Sequence, residues 1–185
     1  LGLAGPGTDF LFGLSFDVAA ACAQKSDYVW RSDDVERLLG EMQNDGQNVW
    51  GFELGNEINN RAPGGNQDCG LVPRQQSDAM LAFAALLRAK WPDPATRPKF
   101  VGPDTGYHDA PAWLNATLAE AGDVLHAVTH HVYPGIHRGN FNVPSAFDKI
   151  VHGDMSWYPE IVSAHAPSAQ MWAGEDGPAG GGESG

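Results

Sequence analysis

Two glutamates end apolar runs that lie far apart in the chain: Glu57 in GFELGNEINN (51–60) and Glu175 in AQMWAGEDG (169–177). Two facing carboxyl groups are the minimum equipment for hydrolysing a glycosidic bond. One protonates the departing oxygen, and the other attacks the anomeric carbon or activates water. The acid of such a pair must hold its proton near neutrality, which burial or a neighbouring like charge secures. A plainer account makes both solvated loop acids, since 23 acidic residues put two at strand ends readily by chance.

Other polar side chains gather at comparable places. Asn56, Asp104, His131 and Tyr133 all fall at or just past the carboxyl ends of apolar segments. Asp104 either orients a sugar or a catalytic partner, or caps the next helix or satisfies loop N–H groups, and the structural use is the commoner. Tyr107, in the loop after GPDTG, is a stacking candidate for a sugar. Trp50, Trp91, Trp113, Trp157 and Trp172 are expected in the core. His126 and His130 share a strand face, but at strand rise they stand about 13 Å apart, and His131 points the other way. No metal site is expected, and no cofactor.

The segments that position these groups follow from periodicity. Strands are expected over 9–17, 48–57, 99–106, 124–135 and 169–177. Helices are expected from Asp33, where Asp33 and Glu36 fit a capping box and Gly46 a stop, and over 77–92, 110–122 and 155–166. The order β-α-β-α-β-α-β-α-β implies parallel strands joined by helical crossovers. With the chemistry at carboxyl strand ends, the expected architecture is α/β: a partial (β/α)8 TIM barrel of about five units, lacking the first two and the last. Residues 1–185 are expected to be one fragment of a catalytic barrel, cut at both ends and inactive alone. Strand alternation puts Gly51, Glu53, Gly55 and Glu57 on one face, lining the interior. Met171, Ala173 and Glu175 are placed together, with Trp172 pointing away.

Composition narrows the partners. The 185 residues suit a single domain, and 42% hydrophobic content suits a packed one. A formal charge of -12, from 11 basic against 23 acidic residues, disfavours nucleic acid or another polyanion as a partner. No apolar run is long enough to span a membrane. Cys22 and Cys69 are either a disulfide or two free thiols. Asn115–Thr117 is a glycosylation acceptor pattern, a weak pointer to a secretory route.

The stretches DFLFGLSFD, FELGNEINN, FVGPDTG, AVTHHVYPG and MWAGEDGPAGGG resemble, in that order, the heparanase-like glycosidases of glycoside hydrolase family 79. The resemblance implies a (β/α)8 barrel with a small β-sandwich elsewhere in the full chain, and hydrolysis of β-glucuronides with retention. It implies Glu57 as acid/base and Glu175 as nucleophile. Asn56 would bind the sugar 2-hydroxyl, and His131 and Tyr133 would lie near the sugar. Gly180 and Gly181 would hold the uronate carboxylate with backbone N–H groups. The implied partner is a glucuronate-containing glycan or glucuronide, and the implied location is secreted, cell-wall or lysosomal/vacuolar. Ile58 stands where the family usually has proline, and Asp176 where a neutral residue is common. Asp109 occupies a position that is basic in heparan-degrading members, which argues against heparan sulfate. A non-catalytic carbohydrate-binding relative, or a relative acting on neutral β-glycosides, are the alternatives.

Overall fold

The computed structural model describes residues 8–46, 49–106, 109–132 and 155–176. Five strands, β1 (Leu11–Leu14), β2 (Gly51–Leu54), β3 (Lys99–Thr105), β4 (Ala127–Val132) and β5 (Gln170–Asp176), form one sheet in sequence order, every neighbouring pair parallel. Helices α1 (Val18–Gln24), α2 (Asp33–Asn44), α3 (Pro73–Lys90), α4 (Ala110–Ala121) and α5 (Trp157–His165) lie between them in sequence. Consecutive parallel staves joined by helices are the arrangement of part of a (β/α)8 barrel.

β1 and β2 end before their apolar runs do, because Ser15–Asp17 and Gly55–Glu57 belong to the turns that follow. α1 was not expected from periodicity. Its seven residues are too few to show an apolar stripe, and it rests on Asp17, whose side chain accepts a hydrogen bond from the Ala20 N–H. α2 starts at Asp33, so its N-cap residue is Ser32, one earlier than the expected box; the Ser32 hydroxyl donates to the Glu36 side chain and caps no backbone N–H. α3 begins four residues before the expected Ser77. Pro73 supplies the first helical position, and Gln75 Oε1 accepts from the Val72 N–H. Polar residues at 74–76 give no apolar signal, although Gln75 and Gln76 are buried.

One face of the sheet packs on the helices. Phe52 and Phe100 meet Phe83 of α3 edge-on, with ring centroids 5.9 and 4.9 Å apart, beside buried Leu87, Leu114 and Leu118. Trp113 belongs to this core, but Trp50 and Trp172 do not: they stack on each other at 5.5 Å, half-exposed. The other face carries Glu53, Thr129 and His131. Cys22 and Cys69 are bonded, with Cα atoms 5.1 Å apart, which ties α1 to the loop ahead of α3.

Candidate functional site

Glu57 sits where the chain leaves β2. The backbone turns at Gly55 (φ 88°), and Glu57 takes up left-handed φ 47° at the head of a short 3₁₀ turn over Ile58–Arg61. Asp104, at the end of β3, is also left-handed at φ 57°. Non-glycine residues pay for that conformation, and it persists where surroundings enforce it. Here the two enforce each other, because the Glu57 N–H donates to the Asp104 carbonyl at 2.9 Å. The Asp104 N–H donates to Thr129 Oγ1 at 2.9 Å. The carbonyl of Pro103, next in line, accepts from Gln76 Nε2 at 2.8 Å, and Gln76 Oε1 accepts from the Trp113 indole at 2.6 Å. Helices α3 and α4 thus grip the end of β3 from behind.

The 3₁₀ turn supplies two further asparagines. Residues three apart eclipse in such a turn, so Asn60 returns over Glu57, and its Nδ2 donates to Glu57 Oε2 at 2.7 Å. Asn59, fully buried, exchanges two hydrogen bonds with the Gly106 backbone at 2.8 and 2.9 Å. A Cβ at Gly106 would fall 2.7 Å from Glu57 Cδ, so glycine is what allows the carboxylate to lie against this loop.

His131 is the hub. Its side chain is 1% exposed and its Nδ1 lies 2.7 Å from Glu57 Oε1, its Nε2 2.8 Å from Asp104 Oδ1, and its Nδ1 3.5 Å from Glu175 Oε2. One oxygen of Glu57, one of Glu175 and a ring nitrogen of His131 all lie within 4.8 Å of one another. Two register shifts produce this convergence. β3 carries an extra residue between Gly102 and Thr105 opposite β4, and β5 carries one at Gly174, between the partners of His130 and His131. Bulges re-aim side chains beside functional sites, and here one on each side of β4 turns Asp104 and Glu175 onto the same imidazole. Gly174 leaves the room, since a Cβ there would meet Asp104 Oδ1 at 2.7 Å.

The bulge corrects the expected alternation along β5. Trp172 pairs in register with Thr129, on the face that bears the site, and does not point away from it. Glu175 reaches the site because Gly174 is the additional residue, not because it shares a face with Met171 and Ala173. Asp104 does not cap α4, whose N-cap is Asp109; its side chain holds His131. His130 points to the helix side against Tyr158, and His126 packs on Trp50 and Trp172 at the other end of the strands, so the three histidines diverge. Asn56 is exposed beside Glu57. Tyr107, Tyr133, Gly180 and Gly181 lie outside the described residues.

The electrostatics follow from this wiring. Burial opposes charge on His131, but the hydrogen bonds to Asp104 and Glu57 and the nearby acids outweigh it and push its pKa up to about 10. The imidazole is therefore a cation at neutral pH, with both ring nitrogens donating. Glu57 moves the opposite way to the expectation for an acid catalyst. The hydrogen bond from His131 lowers its pKa against the effect of burial, aided by the His131 charge and Asn60. In the resting site the proton sits on His131, 2.7 Å from the Glu57 carboxylate. Glu53, deeper on the same face, is pushed up to about 7 by burial and then by Asp104, although the Thr129 hydroxyl donates to it at 2.7 Å.

Sequence reasoning missed Glu53, Thr129, Asn59 and Asn60 as parts of the site. An acid inside an apolar strand, four residues before Glu57 on its face, was the available signal for Glu53. Thr129, two residues before His131, carried the same face signal. Asn59 and Asn60 read only as a turn.

Among curated proteins none matches the chain. Among solved structures it resembles a monomeric beta-xylosidase from Caulobacter crescentus CB15, with 20% identity and a TM-score of 0.51 over 80% of this chain and 30% of that one. It also resembles a GH39 beta-xylosidase from Caulobacter crescentus, with 18% identity and a TM-score of 0.48 over the same shares. The chain thus spans 30% of the length of these structures, and the first likeness carries the fold alone. Residues 3–184 match the model of glycosyl hydrolase family 79, N-terminal domain, and the chain belongs to that family.

Proposed function

We propose that this chain carries the catalytic pair of a retaining β-glucuronidase-type glycosidase, with Glu175 as nucleophile and Glu57 as acid/base. One observation carries the reading: Glu57 and Glu175, remote in sequence, bring carboxylate oxygens within 4.8 Å of one another around His131. Retaining enzymes hold their carboxyl groups about 5–5.5 Å apart, whereas inverting ones leave room for a water.

In this reading Glu175 attacks the anomeric carbon as the glycosidic C–O bond breaks. The leaving oxygen takes its proton through Glu57, which draws it from His131 Nδ1 across their hydrogen bond and is left as the carboxylate, with His131 neutral. Forming the glycosyl-enzyme neutralises the Glu175 charge beside His131. Glu57, now a base, accepts a proton from the incoming water and releases the sugar. Asn56 bonds the 2-hydroxyl, Tyr133 flanks the sugar, and Gly180 and Gly181 hold the uronate carboxylate, assignments that rest on the sequence resemblance; Tyr107 stacks on the sugar, an assignment that rests on its place in the loop after GPDTG. The Cys22–Cys69 disulfide supports an oxidising, secretory-type location.

Leaving-group dependence tests the roles. Glu57→Gln should retain hydrolysis of an activated aryl β-glucuronide far better than that of an alkyl one, because only the poorer leaving group needs the proton. Glu175→Gln should lose both. Equal loss on both substrates in Glu57→Gln overturns the assignment. Aryl β-xyloside turnover exceeding that of the glucuronide moves the specificity to neutral sugars.

A further inference from the structure

We propose that Glu53 is a positioning residue that acts on Glu57 through Thr129, Asp104 and His131. The inference rests on the reading of Glu57 as acid/base and adds a residue to its support. The hydrogen bonds have one consistent polarity. Thr129 Oγ1 accepts from the Asp104 N–H at 2.9 Å, so its proton is free to go to Glu53 Oε1, 2.7 Å away. A hydroxyl has one proton to give, and Glu53 is the acceptor that fixes its direction. With the hydroxyl fixed, its lone pair faces the Asp104 N–H and helps hold Asp104 in its left-handed conformation. That conformation presents Oδ1 to His131 Nε2 at 2.8 Å, and His131 Nδ1 then meets Glu57 Oε1 at 2.7 Å.

The geometry leaves little slack along this line. Thr129 and Asp104 are 1% and 5% exposed, and His131 4%. Gly174 packs against both Asp104 Oδ1 and Thr129 Cβ, where even a methyl group would collide with the carboxylate. Glu53 occupies the base of the line, half-buried. Burial and Asp104 hold it near neutrality's threshold, at about 7, so an amide mimics its protonated form. What the line requires of Glu53 is an acceptor oxygen at the Thr129 hydroxyl.

Two substitutions separate that requirement from simple packing. Glu53→Gln keeps an acceptor, whereas Glu53→Met keeps the volume and removes it. In the protein expressed from its complete open reading frame, Glu53→Met should lower kcat for an aryl β-glucuronide by roughly 10- to 100-fold, with KM held within about threefold. Glu53→Gln should stay within about threefold of the wild type in both. The ring nitrogen resonances of His131, read by NMR, should move in Glu53→Met and return in Glu53→Gln. Should Glu53→Met fail to fold, Thr129→Val against Thr129→Ser reads the same bond from its other end, with loss in the first and retention in the second. Unchanged His131 resonances in Glu53→Met, or Glu53→Gln as impaired as Glu53→Met, overturn the inference. A wild type that turns over no glycoside defeats the functional reading, and the His131 resonances still decide this one.

Discussion

The proton on His131 makes a stability prediction with a defined pH window. Its pKa rises from the ordinary 6.5 to about 10 in the folded state. At about 1.36 kcal/mol per pKa unit, the charged ring gains roughly 5 kcal/mol on folding. The folded state binds this proton more tightly than the unfolded one. The contribution is therefore complete below pH 6.5 and drains away as pH rises through about 10. Between pH 6.5 and 9.5 the expected loss is about 3–4 kcal/mol, a large share of the 5–15 kcal/mol that stabilises an ordinary domain. Of the other shifted groups, only Glu53 reaches into this window, at its lower edge. Glu53, raised from 4.5 to about 7, loses its contribution between those values, and Glu57, lowered from 4.5, loses its own as pH falls into the acid range. His126 and His130 are lowered from 6.5 and act below it, while Tyr28, raised from 10.0 to about 12, acts above 10. Urea unfolding of the wild type and His131→Gln, at intervals from pH 6.5 to 9.5, isolates the term. The gap between the two proteins should close by about 3–4 kcal/mol across that range. Stabilities that fall in parallel would refute the imidazolium, and with it the resting proton assigned to His131.

Two further outcomes follow from particular contacts. Gly106→Ala drives a methyl group to 2.7 Å from Glu57 Cδ, on a carboxylate already held by His131 and Asn60. Melting and steady-state kinetics should show a destabilisation of about 1–3 kcal/mol and a kcat loss of around 100-fold; wild-type kcat would show that Glu57 is not fixed against this loop. The Cys22–Cys69 bridge closes a sequence separation of 47 residues. Chain entropy puts its stabilisation at up to about 4 kcal/mol, so Cys22→Ser/Cys69→Ser should lower the urea midpoint clearly, and an unchanged midpoint would mean that α1 and the loop ahead of α3 are held without it.

Much of this was legible in the sequence. Strand and helix order, the parallel sheet and the strand-end positions of Glu57, Asp104, His131 and Glu175 all follow from periodicity, because a sheet covered by helices writes its burial into each segment. What stayed hidden depends on contacts between segments. Alternation alone put Trp172 on the wrong side, since nothing in MWAGED marks Gly174 as an inserted residue, and the second bulge in GPDT is equally silent. The direction of the Glu57 shift was also misread. Burial suggested a raised pKa, but a histidine 74 positions away in sequence delivers a hydrogen bond that outweighs it. Glu53 showed its face but not its partner, since Thr129 reaches it across an intervening strand. Short helices such as α1, begun by a single aspartate, fall below the length at which an apolar stripe can declare itself.

The pairing of Glu57 with Glu175 across one sugar is most directly tested by trapping. A 2-deoxy-2-fluoro-β-glucuronide with a good leaving group slows release of the glycosyl-enzyme, and peptide mass spectrometry locates the bond. The account predicts a single adduct on the peptide that carries Glu175, and none in Glu175→Gln. An adduct on Glu57, or steady turnover of aryl glucuronides with Glu175 never labelled, would contradict it.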